Sequence, residues 1–413
     1  MKKIIHSAIG LSLSTVLGVS STSMACTGFA ITQNGKQYVA KNFDRPLEQG
    51  KLLVNARGVK KVAFTAFKLS NPTLNPAMWV SRYGSVTLNQ AGVNFPFSGM
   101  NEKNLVVEVL SFKDSVFPAD SKLPVVSEAE WTQYILDTSA NLQEAESNAR
   151  KVQVKTLVKG LHYFVCDASK QCALFEYTAG DLAVYKFKKG EIPVVANTRF
   201  TDQLALQQKM DADKSAFYLG LEKIPYAINP STAENGGKET IPSPEELERQ
   251  KLIDQELAGK VDMDILNALR SEDLRRPLIA RARLQDNYTS ESNPIQFSRD
   301  VLTEVKLWDT RWNTVWGQHD SKLWFRMFGS KNTTVVGTKR YNYKCVGDAL
   351  PKGFDLKEVN HLVTMTPKIH QISLDQHLVD IDNVLVDAKL PAQMIAMLKQ
   401  AYKAHMKKYY SCL

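Results

Sequence analysis

The sequence predicts an α+β protein, because its strand patterns come in runs and its helical patterns in separate blocks. Alternating apolar segments crowd positions 27–200 and return at 310–328, while stretches of helical period lie between and after them. Regular βαβ alternation is missing, which leaves α+β or layered α/β/α packing. No linker rich in Pro, Gly or Ser and no internal repeat divides residues 26–413, so one domain with insertions is expected.

The chain opens on Lys2 and Lys3, followed from Ile4 to Ser21 by apolar and small residues with no acid or amide. That stretch is short and Ser-rich for a membrane span and suits a secretory leader. It ends in Ser23-Met24-Ala25. Small residues three and one before Cys26 fit a signal peptidase, so residues 1–25 are read as a leader and Cys26 as the first residue of an exported, periplasmic or secreted chain. No later apolar run of about eighteen residues exists, and no stable membrane insertion is expected. The formal charge of +9 is scattered apart from Lys399, Lys403, Lys407 and Lys408. A solvated helix face accounts for that cluster better than nucleic acid does.

The residues Cys26 to Thr32 and Gln37 to Phe43 read as two strands joined at Asn34-Gly35, a pair that takes positive φ readily, so Cys26 is expected to start a strand. Further strands are expected at Leu105–Phe112, His162–Cys166, Ala173–Tyr177, Leu182–Phe187 and Pro193–Ala196. Another pair, Thr310–Trp316 and Leu323–Phe328, flanks His319-Asp320-Ser321. Ser127 with Glu130 resembles a capping box. Ser243-Pro244-Glu245-Glu246 opens another helix. Ile265–Leu284, Phe297–Val305 and Pro391–Met406 complete the helical stretches. No Gly-rich phosphate loop, HExxH or Cys-x-x-Cys pair is present, which argues against nucleotide and zinc chemistry, and no cofactor is expected.

Five cysteines in an exported chain leave one sulfur unpaired. Cys166 and Cys172 flank a five-residue turn between two apolar runs, a spacing that suits a bridge across a hairpin. If Cys26 is the chemical one, Cys345 with Cys412 follows by elimination, although four cysteines allow three pairings. As the first residue, Cys26 would carry its own base: an α-amine of reference pKa about 7.7–8.0 beside the sulfur. A separate catalytic histidine is then unnecessary. The seven histidines form no cysteine-protease signature. A cysteine after a leader also begins bacterial lipoproteins, but Ser23 stands where a lipobox carries an apolar residue such as Leu.

At this point the sequence resembles the linear amide C–N hydrolases, the family of choloylglycine (bile salt) hydrolases and penicillin V acylases within the N-terminal nucleophile superfamily. Cys26-Thr27-Gly28 with Lys41-Asn42-Phe43-Asp44 is similar to its opening. Asn89-Gln90-x-Gly92, Phe95-Pro96 and Gly99-Met100-Asn101-Glu102-Lys103-Asn104-Leu105 are similar to its next segment. Ala196-Asn197-Thr198-Arg199-Phe200 resembles its strand-end Asn, and Thr310-Arg311-Trp312 near Phe325-Arg326 its late hairpin. The resemblance runs from Cys26 to about Phe328; residues from about 330, with Cys345 and Cys412, have no counterpart.

The resemblance implies a four-layer αββα sandwich and a linear amide as substrate, with Cys26 as nucleophile and base. It implies Asp44 holding the amine and Asn197 donating to the tetrahedral intermediate. Lys41 stands where many relatives have Arg, and Ser111 where bile-salt-type members have Asn. The family's later Arg falls on Arg276 in preference to Arg281. Gly99 to Leu105 is read as a structural turn and strand, and Trp312 as core. Phe95 and Phe112, with Phe43 and Phe97, are candidates for a pocket that takes a small-molecule N-acyl amide. Relatives are often oligomeric, so a homo-oligomer is one option, and the sequence does not decide the oligomeric state. Two other readings use the same cysteine: a lipid-anchored binding protein and an acyltransferase.

Overall fold

The computed structural model describes residues 26–413 apart from 46, 65–73, 120–121, 157–159, 225–242, 308, 360–366 and 388, so the leader expected over 1–25 lies outside the described residues. In chain order the strands are β1 (Thr27–Gln33), β2 (Lys36–Asp44), β3 (Lys51–Asn55), β4 (Val59–Val62), β5 (Met78–Val80), β6 (Ser85–Asn89), β7 (Pro96–Asn101), β8 (Val106–Ser111), β9 (Val125–Ser127), β10 (Gln153–Lys155), β11 (Leu161–Cys166), β12 (Cys172–Thr178), β13 (Asp181–Lys186), β14 (Val194–Val195), β15 (Thr310–Gly317), β16 (Lys322–Met327), β17 (Thr334–Gly337), β18 (Lys352–Asp355), β19 (His370–Gln371) and β20 (Ser411–Cys412). Two antiparallel sheets dominate. One has six strands in the order β14-β1-β2-β15-β16-β17, the other nine in the order β13-β12-β11-β8-β7-β6-β3-β18-β19.

Local chemistry sets these strands. Asn34 and Gly35 take φ of 50° and 76°, closing the β1–β2 hairpin that the Asn-Gly pair predicted. Alternation then sorts side chains to two faces. Val39 and Phe43 of β2 join Cys26 in one buried cluster with Val106, Leu110, Phe164 and Leu174 of the nine-stranded sheet. Phe29, Ile31, Tyr38 and Ala40, on the other face of the same hairpin, are buried in a second cluster with helical residues such as Leu266, Leu269 and Leu278.

The helices are α1 (Glu128–Thr138), α2 (Leu142–Ala149), α3 (Phe200–Ala212), α4 (Lys214–Lys223), α5 (Pro244–Leu257), α6 (Met263–Arg270), α7 (Glu272–Asp286), α8 (Pro294–Glu304), α9 (Leu374–Asp387) and α10 (Ala392–Tyr409). At α1 the Ser127 hydroxyl accepts from the Glu130 N–H at 3.2 Å, the cap expected there. Trp131, Ile135 and Leu136 of α1 meet Val107, Val109 and Phe175 in a third cluster. The single helix expected over Ile265–Leu284 is instead two. Ser271 at φ −91° and ψ 121° breaks the chain between α6 and α7, and the acids Glu272 and Asp273 occupy the new first turn. Among the described residues no helix is long and apolar enough to cross a membrane.

The two disulfides are the hairpin bridge expected from spacing and the pair left by elimination. Cys166 and Cys172 are register partners across β11 and β12 with Cα atoms 4.1 Å apart. Cys345 and Cys412 join segments 67 residues apart and fix the C-terminal strand β20 beside β4. Cys26 is the free cysteine, and it is buried.

Candidate functional site

Strand register assembles the site. β14 pairs antiparallel with β1 as Gly28↔Val195, a register that carries Asn197 opposite Cys26. β2 pairs with β1 as Thr27↔Asn42, which brings Asp44 past the same end, and β15 sets Thr310 opposite Asp44. A register shift between Thr310 and Trp312 turns the Thr310 hydroxyl onto that carboxylate. Four adjacent strands thus deliver Asn197, Cys26, Asp44 and Thr310 to one sheet end.

The nitrogen of Cys26 donates to Asn197 Oδ1 at 3.1 Å. The other side of Asn197 faces Asp273 of α7, whose carboxyl it hydrogen-bonds. Asn197 therefore holds the Cys26 nitrogen through its oxygen and spends one of its two amide N–H donors on Asp273. Asp44 accepts from Thr310 Oγ1 and from Arg276 Nη2, each at 2.5 Å, and it is the Asp44 backbone N–H that meets the Cys26 sulfur. Arg276 also donates through Nε to the Val305 carbonyl at 2.6 Å and is buried with Asp44 as an ion pair.

Arg276, preferred on sequence over Arg281, is the arginine at this sheet end. Arg281, on the same helix, pairs with Asp211 near the surface. Lys41 points between the sheets, where its ammonium meets Glu108 at 2.7 Å and the carbonyls of Phe97 and Val109 at 2.7 and 3.0 Å. All three of its donors are spent there. Lys41 bears on the sulfur through its field and not by contact.

The aromatic candidates divide. Phe43 stacks on Trp312 at 4.2 Å and packs on Phe97 at 5.2 Å, in the cluster that holds Cys26. Phe95 is buried with Phe64 and Tyr402 beneath the C-terminal helices, so the structure does not bring it to Cys26. Phe112 is fully buried and stacked on His162 at 5.0 Å. Gly99 to Asn101 end β7, and the turn that follows is organised by Asn101, whose side chain accepts from the Lys103 and Leu105 N–H groups. Ser111 ends β8, half-buried.

Burial governs the electrostatics. It pushes the Cys26 thiol up to about 11, against the pull of the Lys41 charge. Burial also raises Asp44, opposed by Arg276. Asp309, beside Thr310, is raised to about 7 by burial and then by the negative Asp44. Asp273 and Glu272 are raised by burial too, with Arg276 opposing both. The acids gathered around Arg276 were not anticipated. Asp273 had a signal, being three residues before Arg276 and so on the same helix face. Asp309 and Arg45 had none, because a lone charge next to a strand reads as surface.

Residues 26–212 match the model of the linear amide C–N hydrolases, choloylglycine hydrolase family. A penicillin V acylase from Pectobacterium atrosepticum is 31% identical over 149 residues, which span 32% of this chain and 39% of that protein's own length. Penicillin V acylase from Agrobacterium tumefaciens superposes with a TM-score of 0.57 at 20% identity, over 84% of this chain and 98% of that one. A mutant conjugated bile acid hydrolase from Clostridium perfringens gives 0.55 at 13% identity, over 80% and 96%.

Proposed function

We propose that this chain, whose residues 26–212 match the linear amide C–N hydrolases of the choloylglycine hydrolase family, is an exported enzyme that hydrolyses a small-molecule N-acyl amide with the sulfur of Cys26. The observation that carries this reading is the free, buried Cys26 heading β1 with its nitrogen on Asn197. Two disulfides agree with a periplasmic or extracellular setting, and Ser23 and Ala25 frame the cleavage. A four-layer αββα arrangement is supported by the three clusters, one between the sheets and one under the helices of each.

While residues 1–25 are attached, the Cys26 nitrogen is a peptide amide with no basic lone pair. Cleavage turns it into an α-amine of pKa about 7.7–8.0 that takes the thiol proton. Asn197 holds that nitrogen beside the sulfur. Asp44 accepts two hydrogen bonds here, and a carboxylate offers about four sites, so capacity remains for the ammonium. The thiolate attacks the amide carbon, and the charges of Lys41 and Arg276 favour the negative charge that builds up. The C–N bond breaks, the ammonium returns its proton to the departing amine, and the acyl group stays as a thioester. Water, deprotonated by the same amine, then releases the acid.

Intact-mass analysis of the purified exported protein tests this, together with a panel of N-acyl amino acids, conjugated bile salts and penicillin V. The expected result is a chain that begins with unmodified Cys26 and hydrolyses at least one member, with Cys26→Ser losing the activity. A different first residue, a lipid on the sulfur, or full activity in Cys26→Ser would overturn it.

A further inference from the structure

Arg45 follows Asp44 directly, and its backbone is pinned on both sides. Its N–H donates to the Asp309 carbonyl at 2.9 Å, and its carbonyl accepts from Arg311 Nε at 2.5 Å. Its guanidinium is treated differently. It lies over the Phe97 ring, 5.2 Å from the centroid, at 8% exposure. Among the described residues it makes no hydrogen bond and no ion pair. The neighbouring cations Lys41 and Arg276 are both neutralised by carboxylates, Glu108 and Asp44. The acid whose field Arg45 feels most, Asp387 at the end of α9, stays beyond ion-pair distance, and the other group whose negative form it would feel is the Cys26 sulfur once ionised.

A buried, unpaired charge is costly, and the planar fork of five N–H donors matches a carboxylate in two places. The platform beneath it is rigid: Lys41 ties the Phe97 carbonyl at 2.7 Å, and Phe43 packs on the same ring. An uncompensated guanidinium held over a fixed ring beside a nucleophile is suited to take an anion brought in by the substrate. We propose that Arg45 is the specificity residue that recognises a carboxylate on the molecule attacked at Cys26, so that amides bearing a carboxylate near the scissile bond are preferred over neutral ones. This rests on the reading of Cys26 as the nucleophile.

Two alkylating reagents that differ only in this group test it without any knowledge of the acyl chain. Iodoacetate and iodoacetamide each form a bond from the Cys26 sulfur to carbon and expel iodide. Cys26 is the free thiol, so adducts on the mature full-length protein can be counted by mass. The ratio of the iodoacetate rate to the iodoacetamide rate is expected to exceed that of N-acetylcysteine by about tenfold or more. It should fall to the small-thiol value in Arg45→Met and to an intermediate value in Arg45→Lys, which keeps the charge but not the fork. Should Arg45→Met not fold, Arg45→Lys alone carries the comparison. A wild-type ratio equal to that of the small thiol, a ratio unmoved by these substitutions, or no alkylation by either reagent overturns the proposal. The expected ratios without hydrolysis of any amide would retain carboxylate recognition and remove amide hydrolysis, so the two failures are distinct.

Discussion

Arg276→Met removes the guanidinium from the buried pair at the sheet end and keeps most of its volume. Both partners are at most 1% exposed, so Asp44 is left as an uncompensated buried carboxylate. Breaking such a pair from one side costs about 3–5 kcal/mol. The bond from Nε to the Val305 carbonyl adds about 1 kcal/mol. Burial already raises Asp44 and Arg276 is the main influence holding it down, so the variant should rise further. A carboxyl whose folded pKa is raised contributes stability that is present below its unfolded pKa and is lost as pH rises through the folded one. The variant should therefore be most compromised at alkaline pH, and adding Asp44→Asn should recover a large part of the loss at pH 8. Urea unfolding followed by the fluorescence of six tryptophans measures all three proteins. Activity should fall by about 100-fold, because the Asp44 N–H facing the sulfur loses its anchor. A cost under about 1 kcal/mol for Arg276→Met, or a double variant no more stable than the single at pH 8, would refute the reasoning.

Two further outcomes follow from the same chemistry. Asp309 is raised from 3.8 to about 7, so wild-type stability should decline as pH rises across that window. Asp309→Asn should remove the decline, matching wild type near pH 4 and exceeding it by a few kcal/mol above pH 7; parallel stability profiles would contradict this. Replacing Cys345 and Cys412 by Ser opens a link between segments 67 residues apart. The loss should be about 4 kcal/mol by chain entropy, read as a lower urea midpoint, and an unchanged midpoint would count against that closure.

The strands were legible wherever alternation and turn chemistry agreed. Asn34-Gly35 gave the first hairpin, and Cys166 and Cys172 bracketed another. The break at Ser271 was hidden because the apolar period runs on from Ile265 to Leu284, although Ser-Glu-Asp is itself a helix-start signal. Cys26, Asp44, Asn197 and Arg276 were named from motifs, with roles, but the atoms through which they meet were not. Which side of Asn197 meets Cys26 depends on the β14–β1 register and on Asp273, 76 positions away in another element. Phe95 was misjudged for a similar reason. Its partners Phe64 and Tyr402 lie far from it in sequence, and Tyr402 belongs to the C-terminal stretch that no motif placed. The lysines of that stretch were read correctly as a surface feature, and two of them, Lys399 and Lys403, pair with Asp382 and Asp375 of α9.

Under the proposed mechanism the site would hold such a thiol inert until residues 1–25 are removed. With residues 1–25 attached, a thiol pushed to about 11 is ionised in only about one molecule in ten thousand at pH 7. Its nitrogen, though held by Asn197, cannot accept a proton. Neither Lys41 nor Arg276 can serve as a substitute base, because each is spent on a carboxylate. Under the proposed mechanism the partners are in place before the chemistry is possible, and one peptide-bond cleavage supplies the missing base. Cleavage then has to precede activity, and a chain blocked at Ala25 should fold with the same disulfides while its Cys26 stays slow toward iodoacetamide. A blocked chain as reactive as the mature one would mean that the α-amine is not the base.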